Sequence, residues 1–184
     1  MEKYYLNEEL DYPPGVPSIT SSYDDSVRFP SFVDRYFTRY YFKNKSANGD
    51  NEDHLFLCHS NRVGIIMLAK SHIAFKKGIV SISYDIGKSN RSQMQVKGKN
   101  KKGGMNLQAN TAIAIVKTSD GSEYKVQSCV TSKLLETNEQ LQDDLERLKV
   151  EGDGYIAVVL IKAENAEKLK DFLVSEDDYE PEMQ

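Results

Sequence analysis

A tight turn between two alternating segments most constrains how this chain can fold. The segments TAIAIVKT (111–118) and EYKVQSCV (123–130) have the period of half-buried β-strands. Only Ser119-Asp120-Gly121-Ser122 separates them. Asp-Gly between two such strands is a strong hairpin signal, because both central positions of the turn tolerate positive φ. The sequence therefore predicts a β-hairpin whose tip is residues 119–122.

Period-two patterning extends through the rest of the central chain. It predicts strands over HLFLC, RVGIIMLA, SISYDI and SKLLET, and a last buried strand over GYIAVVLI. Many short strands with glycine-bearing turns and few helices are typical of a flattened barrel or a β-sandwich. We therefore predict a mainly β fold with short helices.

An aromatic segment near the start of the β-rich region has helical spacing instead. Four residues after Pro30 fall at i, i+3, i+4 and i+7: Val33, Tyr36, Phe37 and Tyr40. This spacing predicts a short amphipathic helix. Arg35 and Arg39 lie on another face of that helix. They are either solvated or, together with the aromatic residues, part of a surface that contacts a partner.

Two further helices are predicted toward the C-terminus. Leu141, Leu145 and Leu148 recur at helical spacing after a capping-box pattern, which predicts a helix of about three turns. The segment ENAEKLKDFLV predicts a second helix before the acidic run SEDDYEPEMQ.

Charge and composition divide the chain into three parts. We predict a disordered acidic Pro/Ser/Tyr arm over 1–30, a β domain with an N-terminal aromatic helix over 31–162, and a short helix with an acidic tail over 163–184. Residues 1–31 carry a net charge of −4, residues 32–161 carry +5, and residues 162–184 carry −5. The acidic ends either only solvate the protein, or screen a basic face until a partner displaces them.

Several classes of function lack their sequence signatures. Cys58 and Cys129 are too few for a disulfide scaffold, and the start MEKYYLNEEL lacks the apolar region of a secretory signal. The longest apolar stretch is too short to span a bilayer, so we expect a soluble intracellular protein without membrane contact. Three histidines form no metal-binding spacing, and no nucleophile elbow or P-loop occurs. We predict no catalytic residue, no metal site and no cofactor.

A basic loop is the clearest electrostatic feature of the sequence. Between Asp85 and Asp120 there is no acidic residue, and the net charge is +7. Six of these cations are candidate binding residues: Lys88, Arg91, Lys97, Lys99, Lys101 and Lys102. Such a cluster attracts an acidic protein surface or a phosphate backbone, or simply keeps a flexible loop soluble. The loop lacks aromatic stacking residues, which argues against a sequence-reading RNA module.

The order of segments over about residues 60–162 resembles the biotinyl/lipoyl hammerhead, most closely the H-protein of the glycine cleavage system. The resemblance rests on Lys101-Lys102-Gly103, Ser128 to Leu134, Glu136 to Glu139 and Gly154-Tyr155. It implies that the position of the carrier lysine is Gly121, which has no amine. Lys117 and Lys125 lie on the flanking strands, so the resemblance predicts a degenerate carrier. Acylation of either lysine remains the alternative.

Longer and more unusual strings resemble the Abitram family, also called Simiate. They include SFVDRYFTRYYFK, EDHLFLCHSNRVGIIMLAKSH and SDGSEYKVQSCVTSKLLETNE. The chain departs from that pattern at Tyr40, where a tryptophan is expected. The resemblance implies a non-enzymatic protein that binds actin monomers and filaments and modulates transcription. It implies a location in nuclear speckles, in the cytoplasm and in actin-rich projections. Nuclear factors or RNA are alternative partners through the same basic loop, and the oligomeric state is left open.

Overall fold

The computed structural model describes residues 30–46, 49–87, 89–93, 96, 98 and 103–180. The strands within these residues are β1 (Phe37–Phe42), β2 (His54–His59), β3 (Val63–Leu68), β4 (Ile79–Ser83), β5 (Asp85–Ile86), β6 (Ser89–Asn90), β7 (Asn106–Leu107), β8 (Ala112–Thr118), β9 (Glu123–Gln127), β10 (Ser132–Thr137), β11 (Ala157–Ile161) and β12 (Val174–Ser175). The α-helices are α1 (Phe32–Tyr36), α2 (Ile73–Lys77) and α3 (Ala163–Ala166), and the 3-10 helices are Glu139–Gln142, Leu145–Lys149 and Leu169–Asp171. The fold is mainly β with short helices, as the sequence predicts.

All the strand pairings are antiparallel. The larger sheet has the order β12-β1-β2-β3-β11-β10-β7, and a second sheet has the order β4-β8-β9. Strands β5 and β6 form a small hairpin of their own. The larger sheet therefore ends on one side at β12, which is contributed by the C-terminal part of the chain.

The main core contains side chains from both sheets. Phe56 and Ile66 come from the larger sheet, and Val116 and Val126 come from the smaller one; all four are fully buried in one cluster. Neighbouring residues of β2 point the other way: Leu55 and Leu57 pack with Val33 and Met67 in a second cluster. The alternation of β2 thus gives the larger sheet an apolar side chain on each face.

The predicted hairpin is present. Strands β8 and β9 pair in antiparallel register, with Lys117 opposite Glu123 and Val116 opposite Tyr124. The turn is closed by hydrogen bonds from Thr118 N to Ser122 O (3.0 Å) and from Gly121 N to Thr118 O (2.9 Å). Gly121 has φ +81°, a conformation that L side chains rarely adopt. Local turn chemistry was therefore sufficient to predict this element.

The predicted aromatic helix is wrong beyond its first turn. Helix α1 ends at Tyr36, and the chain continues directly as β1, which pairs with β2 from Phe37↔His59 to Phe42↔His54. Pairing along six residues provides interstrand hydrogen bonds and buries apolar area against the sheet, which outweighs a local helical pattern. The spacing of Val33, Tyr36 and Phe37 therefore did not mark one helical face.

The predicted three-turn helix is also wrong. Residues 139–149 form two 3-10 helices, because two polar side chains start separate turns. The Asn138 side chain accepts a hydrogen bond from Gln140 N (3.2 Å), and the Asp144 side chain accepts one from Glu146 N (3.2 Å). A second capping residue inside the segment interrupts a continuous helix.

The C-terminal part of the chain forms a β-strand in addition to a short helix. Helix α3 is short, and β12 follows it and pairs with β1, with Ser175 opposite Tyr40 and Val174 opposite Tyr41. The predicted arm over 1–30 lies outside the described residues, apart from Pro30. Among the helices that the structure describes, none has the length and apolar character needed to cross a bilayer.

Candidate interaction surface

Exposed aromatic side chains cluster where α1 passes into β1. Phe32 is 63% exposed and Tyr36 is 50% exposed, although both are large hydrophobic residues. Their ring centroids lie 5.0 Å apart, and the Phe32 ring lies 6.0 Å from that of Phe37. Phe37 in turn contacts His59 edge-on at 5.3 Å. We call Phe32, Tyr36, Phe37 and His59 the aromatic cluster.

The aromatic cluster borders a groove that is open to solvent and has a volume of about 340 Å³. Tyr36, Phe37 and His59 contribute to its wall, and Leu169 contributes from the C-terminal 3-10 helix. Arg35 also lines the groove, and its guanidinium carbon lies 5.7 Å from the centre of the Tyr36 ring. An exposed cation beside exposed aromatic rings is a combination that protein interfaces favour.

Arg39 is used inside the protein rather than presented to solvent. Its side chain is only 16% exposed and forms ion pairs with Asp34, with Glu151 and, at 3.6 Å, with Glu176. Burial by itself lowers the pKa of Arg39, but its hydrogen bonds to Asp34 and Glu151 and the nearby carboxylates more than reverse this, so the pKa is raised. Arg39 therefore joins α1 and the C-terminal segment to the turn at Glu151.

Replacing Arg39 by glutamine should lower the free energy of unfolding by about 2 kcal/mol. The substitution leaves three carboxylates without their shared cation, and the site is intermediate between an exposed and a fully buried ion pair. Urea denaturation at neutral pH measures the change. Arg35→Gln is the matched control and should cost less than about 0.5 kcal/mol, since Arg35 is exposed. Equal losses in the two variants would contradict the assignment of Arg39 as a structural clamp.

Most of the predicted basic loop lies outside the described residues, namely Lys88, Lys97, Lys99, Lys101 and Lys102. Arg91 is described: its backbone N–H donates to Tyr84 O (2.9 Å), and its guanidinium contacts Met105 Sδ. Arg91 lines a polar cavity of about 290 Å³ together with Glu136, Glu139 and Tyr155. This cavity is separate from the groove beside Arg35. The binding role of the loop therefore stays a prediction from the sequence.

The tip of the β8–β9 hairpin is tied to the rest of the fold. The Asp120 carboxylate accepts hydrogen bonds from Thr118 Oγ1 (2.6 Å) and Ser122 N (3.0 Å), which lower its pKa well below the usual range. Ser119 Oγ donates to Lys77 O at 2.6 Å, and Ser119 N donates to Gly78 O at 2.9 Å. The tip is therefore docked against the end of α2 and does not project freely.

Two amines near this tip, those of Lys77 and Lys117, are paired with carboxylates. Lys77 Nζ lies 3.2 Å from Asp120 and 3.4 Å from Asp50, and Lys117 Nζ lies 2.7 Å from Glu123 across the hairpin. Gly121 itself has open space around the position that a Cβ would take. A side chain would fit there sterically, but the sequence provides none.

Two of the three histidines are structural. His54 is fully buried and its Nε2 accepts a hydrogen bond from Gln127 N (3.1 Å), while His72 Nδ1 accepts one from Ala74 N (3.1 Å). Burial lowers the pKa of His54 to about 4 and that of His72 to about 3. Within the part of the chain that the structure describes, no group of three His, Cys, Asp or Glu residues could hold a metal ion.

Sequence reasoning missed the contribution of His59 to the aromatic cluster, because it considered His59 only as a metal ligand. His59 faces Phe37 in the β1–β2 register, which is visible only once residues 37–42 are known to be a strand. The buried thiol of Cys129 and the half-buried thiol of Cys58 are both free, and burial raises the pKa of each.

Curated proteins from distant organisms are similar to this chain along most of its length. The chain is 42% identical over 188 residues to the protein Abitram of Drosophila melanogaster, which covers 100% of this chain and 84% of that protein. It is 42% identical over 159 residues to the protein Abitram of Homo sapiens, covering 84% of this chain and 87% of that protein. The chain belongs to the Abitram family. The Dictyostelium discoideum member is 33% identical over 133 residues, covering 70% of this chain and 74% of that protein.

The match to the Abitram family includes the surface described above. Because the alignment with the Drosophila member covers the entire chain, it includes α1, β1 and the C-terminal segment as well as the central strands. No family model matches the chain. The name Abitram carries no enzymatic designation and no statement of what these proteins bind.

Proposed function

We propose that this protein is a non-enzymatic actin-binding protein that modulates actin polymerisation and transcription. The observation that carries the proposal is the exposed aromatic cluster with Arg35 at its edge. The resemblance to the Abitram family supplies the identity of the partner, actin as monomer or filament. The predicted basic loop supplies the electrostatic attraction to an acidic actin surface.

The aromatic cluster has the chemistry of a binding anchor. Aromatic and arginine side chains at the centre of an interface account for most of the binding energy in many complexes. Exposure of Phe32 and Tyr36 leaves apolar surface in water that a partner would cover. Arg35 is an available cation there, whereas Arg39 is occupied by its three carboxylates.

Replacing both Phe32 and Tyr36 by alanine should weaken binding to actin filaments at least about tenfold, as expected for loss of interface anchors. Co-sedimentation of the full chain with filaments over a range of filament concentrations measures the dissociation constant. Val80→Ala is the matched control: Val80 is 55% exposed but lies on β4 of the other sheet. It should leave binding unchanged. Unchanged binding in the double variant would contradict the claim that the aromatic cluster contacts actin.

The contribution of the loop is tested separately. Alanine at Lys97, Lys99, Lys101 and Lys102 should weaken filament binding and flatten its dependence on salt concentration, because long-range attraction is screened by ions. Binding that persists unchanged in this variant would show that the loop does not contact actin.

The alternative function is association with nuclear RNA or another nucleic acid through the same cations. Phosphate backbones release counterions when lysine and arginine bind them, so affinity falls steeply with salt. A filter-binding assay with RNA separates the two functions. A steep salt slope on RNA together with no sedimentation with actin would favour the alternative.

The proposal includes a hammerhead-like β domain that has lost its carrier role. It is supported by the β8–β9 hairpin, by the glycine at its tip and by the pairing of Lys117 with Glu123. The full chain co-expressed with a lipoate or biotin ligase should keep its unmodified mass. An added acyl group on Lys117 or Lys125 would contradict this part.

We also propose that the protein acts in nuclear speckles, in the cytoplasm and in actin-rich projections. A fluorescent fusion of the full chain tests this by its overlap with speckle markers and with stained filaments. Exclusion of the fusion protein from the nucleus would contradict the proposed role in transcription.

A further inference from the structure

A tyrosine in the acidic C-terminal segment docks firmly against the larger sheet. The ring of Tyr179 stacks on that of Tyr41 with centroids 3.7 Å apart and planes within 2° of parallel. Its hydroxyl donates to Asp53 Oδ2 at 2.7 Å. Ser71 Oγ lies 2.7 Å from the same hydroxyl oxygen and donates to it, because the phenol proton is already given to Asp53.

This docking is the last in a series of contacts that fix the C-terminal segment to strand β1. Leu173 is buried, Val174 and Ser175 pair with β1, and Glu176 lies 3.6 Å from an Arg39 nitrogen. Only two residues of β12 cover the six-residue strand β1, so the edge of the sheet depends on a short strand. Tyr179 therefore anchors the end of the C-terminal segment, beyond β12, to the larger sheet.

The surroundings of the Tyr179 hydroxyl suit a neutral phenol and no other species. Burial, together with the Asp53 carboxylate, raises the pKa of Tyr179 above its usual range. Asp53 is itself buried and also accepts hydrogen bonds from Asn44 N (2.9 Å) and Asn51 Nδ2 (3.1 Å), which hold its carboxylate in position. A second negative group at this position would meet a fixed carboxylate at hydrogen-bonding distance.

The sequence around Tyr179 is SEDDYE, with acidic residues on both sides. Many protein tyrosine kinases prefer acidic residues next to the tyrosine that they modify. We propose that Tyr179 is a substrate site of a protein tyrosine kinase and that its phosphorylation releases residues 174–180 from strand β1. Release exposes backbone groups of a sheet edge that β12 covers in the docked state.

The chemistry is an ordinary phosphoryl transfer with a nucleoside triphosphate as the donor. The Tyr179 oxygen forms a bond to the γ-phosphorus while the bond from that phosphorus to the β–γ bridging oxygen breaks. The nucleoside diphosphate leaves, and the phenol proton passes to the base of the kinase. The product can no longer donate a hydrogen bond to Asp53, and it brings a charge of nearly −2 beside that carboxylate.

The docked state and the phosphorylated state therefore exclude each other. The kinase requires the hydroxyl to leave Asp53, and the modified side chain is repelled if it returns. Lys43 Nζ lies 5.8 Å from the centre of the Tyr179 ring and would attract the phosphate. The Asp53 carboxylate is closer to the hydroxyl, so we expect repulsion to dominate.

Hydrogen exchange on the full chain tests the release. Phosphotyrosine can be incorporated at position 179 by genetic code expansion. Amides of residues 173–180 should then exchange at least about tenfold faster than in the unmodified chain, because the docked population falls. Tyr179→Phe keeps the stack on Tyr41 and should show a smaller increase. Unchanged or slower exchange in the phosphorylated chain would overturn the proposal.

Asp53→Asn tests whether charge repulsion is the cause. This near-isosteric change removes the negative charge, so phosphotyrosine at 179 should accelerate exchange less in the Asp53→Asn chain than in the natural sequence. An equal acceleration in both would overturn the repulsion mechanism.

Kinase treatment tests the site itself. The full chain is incubated with ATP and a panel of purified tyrosine kinases, and modified tyrosines are located by tandem mass spectrometry. Tyr179 should be phosphorylated, and faster in the Tyr41→Ala variant, in which the stacked partner is absent. Absence of phosphate on Tyr179 in both chains would overturn the assignment of the site. Equal rates in both chains would overturn the claim that docking on Tyr41 excludes the kinase.

Discussion

Lowering the pH from 7 to 5 should reduce the free energy of unfolding by about 2 kcal/mol for each of the two buried histidines. Both rings use a nitrogen as a hydrogen-bond acceptor, His54 from Gln127 N and His72 from Ala74 N. Protonation would place a charge in the core, where burial disfavours it, and would also remove that acceptor. The folded protein therefore resists protonation, and the pKa values are lowered to about 4 and about 3.

The sign of this pH effect follows from the number of protons that the unfolded and the folded states bind. The unfolded chain takes up protons at both imidazoles as the pH falls through 6.5, whereas the folded protein does so only near pH 4 and 3. Stability is therefore unaffected by these groups above about pH 7 and is lost progressively below pH 6.5. Urea denaturation at half-unit pH intervals measures the slope of the free energy of unfolding against pH.

A matched pair of variants isolates the contribution of His72. His72 Nδ1 accepts from Ala74 N at 3.1 Å, and the partly exposed His59 accepts from Asn61 N in the same geometry at 3.1 Å. Asparagine can replace the acceptor at both positions. His72→Asn should remove about half of the pH dependence, and His59→Asn is the matched control for loss of an imidazole acceptor outside the buried core. The same slope in His72→Asn and in the natural sequence would contradict the prediction.

Replacing Gly154 by alanine should cost about 3 kcal/mol of stability, the upper end of the usual range for overpacking. A Cβ at this position would lie 2.3 Å from Arg147 O, 2.9 Å from Leu148 Cα and 2.9 Å from Val150 O. All three are backbone atoms, so no side-chain rotation relieves the clash. Gly154 N also donates to Val150 O at 2.8 Å, which holds the two segments together.

Gly121→Ala is the control that separates crowding from backbone strain. Gly121 has φ +81° with no atom near its would-be Cβ, so alanine there should cost only about 1 kcal/mol. Chemical denaturation of both variants measures the difference. A cost for Gly154→Ala no larger than that for Gly121→Ala would show that the chain relaxes around the added methyl group.

The hairpin and the central strands were predictable because their signals are local. Asp120-Gly121 encodes its own turn, and the short apolar run Leu55-Phe56-Leu57 supplies an apolar side chain to each face of β2. The aromatic segment was not predictable in the same way. Its helical spacing is real in the sequence, but Phe37–Phe42 has a partner strand in β2, and pairing with it decided the conformation.

Part of the candidate site was predictable as well. Sequence reasoning selected Arg35, Arg39 and the neighbouring aromatic residues as a surface, and Arg35 and Tyr36 do line an open groove. It could not distinguish the two arginines. Arg39 is withdrawn from solvent by Glu151 and Glu176, which are far from it along the chain.

The sequence by itself determined the mainly β class, the tight turn at residues 119–122 and the absence of an amine at its tip. These depend on residue type and on spacing over a few positions, which any chain conformation preserves. Only the tertiary structure decided that Arg39 is a clamp, that His54 and His72 are neutral core residues, and that Tyr179 fastens the C-terminal segment to Tyr41 and Asp53. These roles require burial and contacts between residues distant in sequence, and both arise only when the sheets pack.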